Sequence, residues 1–213
     1  MPGQKASEAR RREDIMRAAY DVAARSGVEA LTLRAVAARA AVSHGTVLFH
    51  FDRRDALVMA LLERVLDATA VLRIPSGVES ITRPRDRMRA VLRAEMERLS
   101  RDPRHFRLFL EYWALGVRNA SIRRRVGAAL DGYRRALRLV SEGTTGEKRA
   151  TRRPLADAGA LAAVAVSLIH GCALQAVIDP RAFSVGQHFD MAARMLESLV
   201  GSGNSARRPG RRR

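Results

Sequence analysis

TLRAVAARAAVSHGTVLFHF, from Thr32 to Phe51, is the stretch that decides how this 213-residue chain is read. Thr32 suits a helix N-cap, and Leu33, Val36, Ala37 and Ala40 follow on one face at helical spacing. A break is expected at Ala41-Val42. Ser43 can then cap a second helix whose opening residues, His44, Gly45 and Thr46, are small or polar and not core-forming. Two short helices joined by a tight turn, the second with an uncommitted outer face, make the shape of a helix-turn-helix. In that motif one helix crosses the DNA backbone and the start of the next enters the major groove.

Working outward, the preceding helix is expected from about Arg10 to Ser26, burying Ile15, Ala18, Ala19, Val22 and Ala23, with Gly27 as its stop. Residues 1–8 are expected to be a disordered basic tail. After Phe51 a fourth helix is expected from Asp52, which can cap it with Asp55 at the capping-box position, through Leu57, Leu61, Leu62, Val65 and Leu66 to about Leu72. These four helices form a first domain, residues 9–69. The segment Arg73 to Pro84 holds two prolines and a glycine and no helical period, so it marks the boundary.

Beyond it, residues 84–200 form a second helical domain. Met88, Val91, Leu92, Met96 and Leu99 mark one helix. Phe106, Phe109, Leu110, Trp113 and Val117 mark the next, with Pro103 near its start, and Ile122, Val126, Tyr133, Leu137 and Val140 mark a third. Ser141 to Pro154 lacks an apolar face and is expected to be a mobile, solvated loop. The uncharged run Ala158 to Ile178, closed by Asp179-Pro180, and a helix carrying Phe189, Ala192, Ala193, Leu196, Leu199 and Val200 complete the domain. Residues 201–213 are expected to be a second disordered basic tail. No strand-like alternation and no internal repeat occur, so the fold class is all-α.

Composition bounds the function. An apolar content of 47% supplies a core, and a formal charge of +17 favours polyanionic partners such as nucleic acid. Only Lys5 and Lys148 are lysines, and so uniform an arginine excess is equally a compositional bias. Cys172 is the single cysteine, which excludes an internal disulfide and suits a reducing cytosol. The charged N-terminus lacks the apolar core of a signal peptide. Ala158 to Ile178 is long enough to span a bilayer, but Gly159, Ser167, His170, Gly171 and Gln175 interrupt it, so a helix buried in protein is expected, with no membrane partner.

Residues 9 to 69 resemble the DNA-binding domain of the tetracycline-repressor (TetR) family of bacterial regulators. The resemblance rests on Ile15, Ala18, Ala19, Gly27, Thr32, Val36, Ala37, Val42, Ser43, Gly45, Thr46, Phe51 and Leu57, in the family's order and spacing. It implies that Arg34 reaches a base or phosphate, that His44, Gly45 and Thr46 face base edges, and that Thr32, Ser43, His50 and Arg54 meet phosphates, with Phe49 among the DNA-facing residues. The alternative for His50 is packing against the first helix. Three positions depart from the pattern. Leu48 and Phe49 stand where tyrosine or another hydroxyl is frequent, Arg53 replaces a small cap, and Ala41 stands where glycine usually ends the helix. The segment Leu168 to Pro180 resembles the penultimate helix of choline-repressor-like C-terminal domains, which implies a homodimer through the last two helices.

A pocket for a small-molecule effector is expected among the helices of the second domain, walled by Met88, Met96, Phe106, Phe109, Trp113 and Tyr133, with Glu111, His170 and Gln175 as polar anchors. Helical spacing equally makes each of these a core residue. The five histidines show no metal spacing, and neither a phosphate-binding glycine loop nor a nucleophile elbow is present. Glu95 and Glu97 are expected to be solvated surface charges. The chain is therefore expected to be no enzyme, with no cofactor and no metal. It is expected to be a cytoplasmic, nucleoid-associated transcriptional repressor that binds a palindromic DNA operator as a homodimer and leaves it on binding an effector. The alternative is a non-specific architectural DNA-binding protein of the nucleoid.

Overall fold

The computed structural model describes residues 2–142 and 158–201. Among these residues there are nine α-helices and no strand. They are α1 (Pro2–Ser26), α2 (Leu33–Ala40), α3 (His44–His50), α4 (Arg54–Thr69), α5 (Pro84–Arg101), α6 (Pro103–Arg118), α7 (Ala120–Glu142), α8 (Ala158–Ile178) and α9 (Val185–Gly201). Short 3-10 turns, Val28–Ala30 and Val78–Ser80, follow Gly27 and Gly77. Both glycines have positive φ, 84° and 86°, the left-handed side of backbone space that a side chain disfavours. The all-α class is as expected. Most of the expected solvated loop and the C-terminal tail from residue 202 lie outside the described residues.

The N-terminal tail differs from expectation, because α1 starts at Pro2. Its first turns lack an apolar period but are rich in Ala, Glu, Gln, Lys and Arg, strong helix formers that follow a proline suited to a first helical position.

The helices divide into two compact units. The first contains α1 to α4, α6 from Arg104 and the start of α7. Ile15, Ala19, Leu31, Val36, Val47, Leu57, Leu61 and Leu62 are fully buried in it. The expected boundary assigned α6 to the second domain, yet four polar contacts tie it and the start of α7 to the first helices. The Tyr20 hydroxyl lies 2.9 Å from His105 Nδ1, the Glu111 carboxylate accepts the Val28 N–H at 2.8 Å, and the buried Tyr112 hydroxyl donates to the Val58 carbonyl at 2.8 Å. Arg125 pairs with Glu63 at 3.0 Å. Burial of Tyr112, with the Glu111 charge beside it, holds its phenol well above the ordinary tyrosine range.

The second unit contains the 72–103 segment, the remainder of α7, α8 and α9. Helix α5 packs on α8 and α9, and α8 packs on α9. Val91, Leu92, Met96, Leu137, Ala165, Ile169, Cys172 and Ala173 form its core. Burial pushes the Cys172 thiol up to about 11, which keeps it unreactive as a buried hydrophobe. Helix α8 is long and apolar enough to cross a membrane, but Ala162, Ala165, Val166, Ile169, Cys172 and Ala173 bury one of its sides within this unit.

Candidate nucleic-acid interface

The geometry of the reading head follows from its caps. Thr32, with extended backbone, accepts the Ala35 N–H on Oγ1 at 3.1 Å and starts α2. Ala41 ends that helix in the left-handed conformation, φ 53° and ψ 44°, and the Val42 N–H returns to the Ala37 carbonyl at 3.0 Å. An alanine held there stores strain on the order of 1 kcal/mol that glycine would not. The turn points the chain into Ser43, whose Oγ accepts the Thr46 N–H at 3.0 Å and lies 2.8 Å from the Thr46 hydroxyl. Helix α3 is pinned by a single fully buried residue, Val47, while the buried Phe51 closes it.

With Val47 inward, the rest of α3 faces out. His44 and Gly45 are exposed, and Thr46 is half-buried. Leu48 is also exposed, and Phe49 is 76% exposed, so both side chains face away from the core. His50 is half-buried and meets the Phe49 ring edge-on at 5.2 Å between centroids. Arg34 is exposed on α2, and its side chain makes no hydrogen bond or ion pair among the described residues. Beside it, Arg39 is taken by an ion pair with Asp21. An added Cβ at Gly45 would meet only Ser43 Oγ, at an ordinary 3.7 Å. The protein itself therefore leaves room for a side chain there.

Two expectations at the start of α4 are corrected. The N-cap is Arg53, whose side chain makes no capping bond, and not Asp52; the extended backbone needed for a cap falls one residue later than expected. Arg54, expected to meet a phosphate, is exposed but has its guanidinium engaged by the backbone. It donates to the Leu31 carbonyl at 2.8 Å and to the Val28 and Glu29 carbonyls at 3.2 Å each. Arg54 thus holds the turn from which Thr32 launches α2. Its long stem reaches three carbonyls of that turn, of which the Val28 carbonyl also accepts the Leu31 N–H at 3.2 Å.

Comparison with known proteins agrees with this geometry. Residues 15–61 match the bacterial regulatory proteins of the tetR family, and residues 84–201 match the C-terminal domain of BetI-type transcriptional repressors. The chain belongs to the TetR family. The TetR-family relatives include the regulator BetI of Stenotrophomonas maltophilia, 26% identical over 125 residues, which are 57% of this chain and 62% of that protein. The chain thus spans less than two thirds of that relative. A second is an uncharacterized helix-turn-helix regulator in the dhlA 5′ region of Xanthobacter autotrophicus, 30% identical over 158 residues, 74% of this chain and 73% of that one. The same TetR fold is found in a transcriptional regulator from Saccharomonospora viridis in complex with choline, with a TM-score of 0.69 at 22% identity, covering 89% of this chain and 96% of that one. These matching families and relatives are transcriptional regulators and not enzymes. The architectural alternative finds no support among them.

In this TetR-family chain the residues expected to line an effector pocket fall in both units. Phe106, Phe109 and Trp113 belong to the first, where the first two are buried and Trp113 is 40% exposed. Met88, Met96, Tyr133 and His170 are buried in the second, and Gln175 is exposed on α8. The Tyr133 and His170 rings stack at 5.8 Å between centroids, 11° from parallel. Glu111, the other expected anchor, is taken by the Val28 N–H.

Glu95 was expected at the surface and is instead fully buried at the centre of the second unit. Its carboxylate accepts from Arg98 at 2.6 and 2.8 Å, from the Tyr133 hydroxyl at 2.5 Å and from the Arg73 N–H at 3.2 Å. A buried carboxylate persists only when so satisfied. Burial and the neighbouring Glu95 charge hold the Tyr133 phenol well above its ordinary range. Burial lowers the Arg98 guanidinium, but its bond to Glu95 and that charge outweigh this and raise it. Burial, with the Arg98 charge nearby, lowers His170 to about 4, so its ring is neutral at pH 7. Glu97 is a surface charge as expected, paired with Arg101 at 3.2 Å.

Proposed function

We propose that this protein is a homodimeric transcriptional repressor that binds a palindromic operator through Thr32 to Phe51 and is released by a small-molecule effector. The observation that carries the reading is the outward face of α3. One buried anchor, Val47, fixes the helix, while His44, Gly45 and Phe49 are exposed at a capped helix start. In this proposal Arg34, His44, Gly45, Thr46 and Phe49 meet bases or thymine methyls. Thr32, Ser43 and His50 meet phosphates, helped by the free N–H groups at the starts of α2 and α3. The repressor acts in the cytoplasm, on the nucleoid.

The dimer is proposed through α8 and α9. On α8, Ala160, Ala163, Val164, Ser167, Leu174, Gln175 and Ile178 make an exposed stripe along one side, with small residues that permit close approach of a second copy. On α9, Met191 and Met195, one turn apart, are both more than half exposed. A two-fold dimer of this kind sets its recognition helices about 34 Å apart, one turn of DNA.

For the effector, the family's BetI-type domain and the choline complex of the Saccharomonospora structure support a small organic molecule. Met88, Met96, Tyr133 and His170 of the second unit are its proposed contacts. The effector shifts the population toward a helix arrangement in which α4, joined to that unit through the 72–83 segment, carries the recognition helices out of register. That segment is braced at both ends. Arg73 N–H is held by Glu95, and the Arg87 guanidinium grips the Ile81 carbonyl at 2.8 and 3.2 Å.

The test is selection from a randomised duplex pool, followed by titration of the selected duplex with and without candidate effectors. A palindromic consensus is expected, with affinity that drops when effector is added. Recovery of no sequence preference overturns the reading; equal affinities in the presence of an effector shown to bind remove only the release mechanism.

A further inference from the structure

The core-facing stripe of α1 continues past the point where the core ends. Ile15, Met16, Ala18, Ala19 and Ala23 are buried on that stripe. One turn earlier, at the positions four residues before Ile15 and Met16, it carries Arg11 and Arg12, and both are exposed, as is Arg10. The Arg12 guanidinium lies 4.9 Å from the centroid of the Phe51 ring, the residue that closes the recognition helix. A guanidinium stacked on a ring keeps its in-plane N–H groups available to acceptors beyond the ring edge. This contact places Arg12 against the residue that closes α3.

The run is also uncompensated. Of the nearby carboxylates, Glu13 is taken by Arg64 at 2.7 Å and Asp14 by Arg17 at 2.6 Å. Glu8 is exposed and, among the described residues, forms no ion pair with Arg10, Arg11 or Arg12. Three successive cations near the exposed start of one helix, with no carboxylate partner among the described residues and with one member seated on the end of the recognition helix, supply the positive charge that phosphodiester oxygens attract.

We infer that Arg10, Arg11 and Arg12 form a second DNA contact, binding backbone phosphates that flank the bases read by α3. The inference rests on the DNA-binding reading above and adds to it a site outside the helix-turn-helix. Phosphate contacts of this kind strengthen binding to every sequence and specify none.

The experiment measures the affinity of the full chain for its selected duplex and for a random duplex of equal length, across a salt series. Removing one cation from a phosphate lowers the slope of log affinity against log salt by about 0.9, so Arg10→Ala with Arg11→Ala should lower it by about 2 per protomer on both duplexes. Arg10→Lys with Arg11→Lys should restore most of the slope. Both side chains are exposed, and a thermal melt matched to wild type confirms that each variant is folded. An unchanged slope in the double alanine variant overturns the inference while leaving the function intact. A weakening confined to the selected duplex also overturns it, because the run would then be reading sequence. A wild-type chain that binds neither duplex overturns the function itself.

Discussion

The Nε of Arg54 donates to the carbonyl of Leu31 at 2.8 Å across 23 residues of chain, joining the first turn of α4 to the residue just before the Thr32 cap. A side chain so committed supports the reading head from behind. We predict that Arg54→Ala lowers stability by about 1.5–3 kcal/mol, the scale of hydrogen bonds to a charged group. Affinity should weaken for all duplexes because Thr32 is less firmly placed. The salt slope should stay at its wild-type value, since a guanidinium committed to three backbone carbonyls neutralises no phosphate. Denaturant titration and a salt series together check this, and a slope reduced by about 1 would return Arg54 to the phosphates.

Gly45 separates the demands of folding from those of binding. The space around its Cα accepts a methyl group, with Ser43 Oγ 3.7 Å from the added carbon, and the residue lies in the first turn of a helix. Gly45→Ala should therefore stabilise the protein by about 0.5–1 kcal/mol, through helix propensity and a less flexible unfolded chain. The same methyl group projects from the proposed DNA-facing surface and should weaken binding to the selected duplex. A raised melting temperature with unchanged affinity would show that DNA does not approach the backbone there.

The reading head was legible because short-range chemistry determines it. Thr32 and Ser43 cap by bonds to residues three positions away, and the left-handed Ala41 sits where the spacing requires a helix to stop. What was missed depends on partners far along the chain. Nothing local in RHFRLFLEYW tells that Glu111 and Tyr112 will bond to Val28 and Val58, 83 and 54 residues away, and so bring α6 into the first unit. Glu95 is a different case. It occupies the same stripe as Val91, Leu92 and Leu99, so the helical period marks it as buried while its charge alone marks it as surface, and here position prevails. Arg98, one turn later, and Tyr133 supply the donors that make that burial tolerable.

The exposed stripe of α8 yields a prediction about assembly. Leu174 is 40% exposed and Met195 on α9 is 52% exposed, although both are apolar residues on helices otherwise packed into the second unit. A buried, unpaired guanidinium at an interface costs several kcal/mol, whereas the same group on a free surface costs almost nothing. Leu174→Arg with Met195→Arg should leave the helical content and melt of the single chain near wild type while converting a dimer to a monomer. Light scattering should report half the wild-type mass, with affinity for a palindromic duplex falling to that of its half-site. A double variant that remains dimeric places the interface elsewhere.

His170 makes the stability of the second unit depend on pH. Its ring is buried against Tyr133, and burial, with the Arg98 charge, lowers its pKa from 6.5 to about 4. Between these values the unfolded chain takes up a proton that the folded chain refuses, so stability increases with pH through this window. The contribution is complete above about pH 6.5 and is lost as the pH falls toward 4, with a total on the order of 3 kcal/mol. His170→Gln removes the titrating ring. Urea unfolding at pH 7 and at pH 4.5 should give a smaller difference in stability for this variant than for wild type, by about 2 kcal/mol. Equal differences in the two proteins would mean that His170 is protonated with ordinary ease in the folded state, which its position against Tyr133 and near the Arg98 charge argues against.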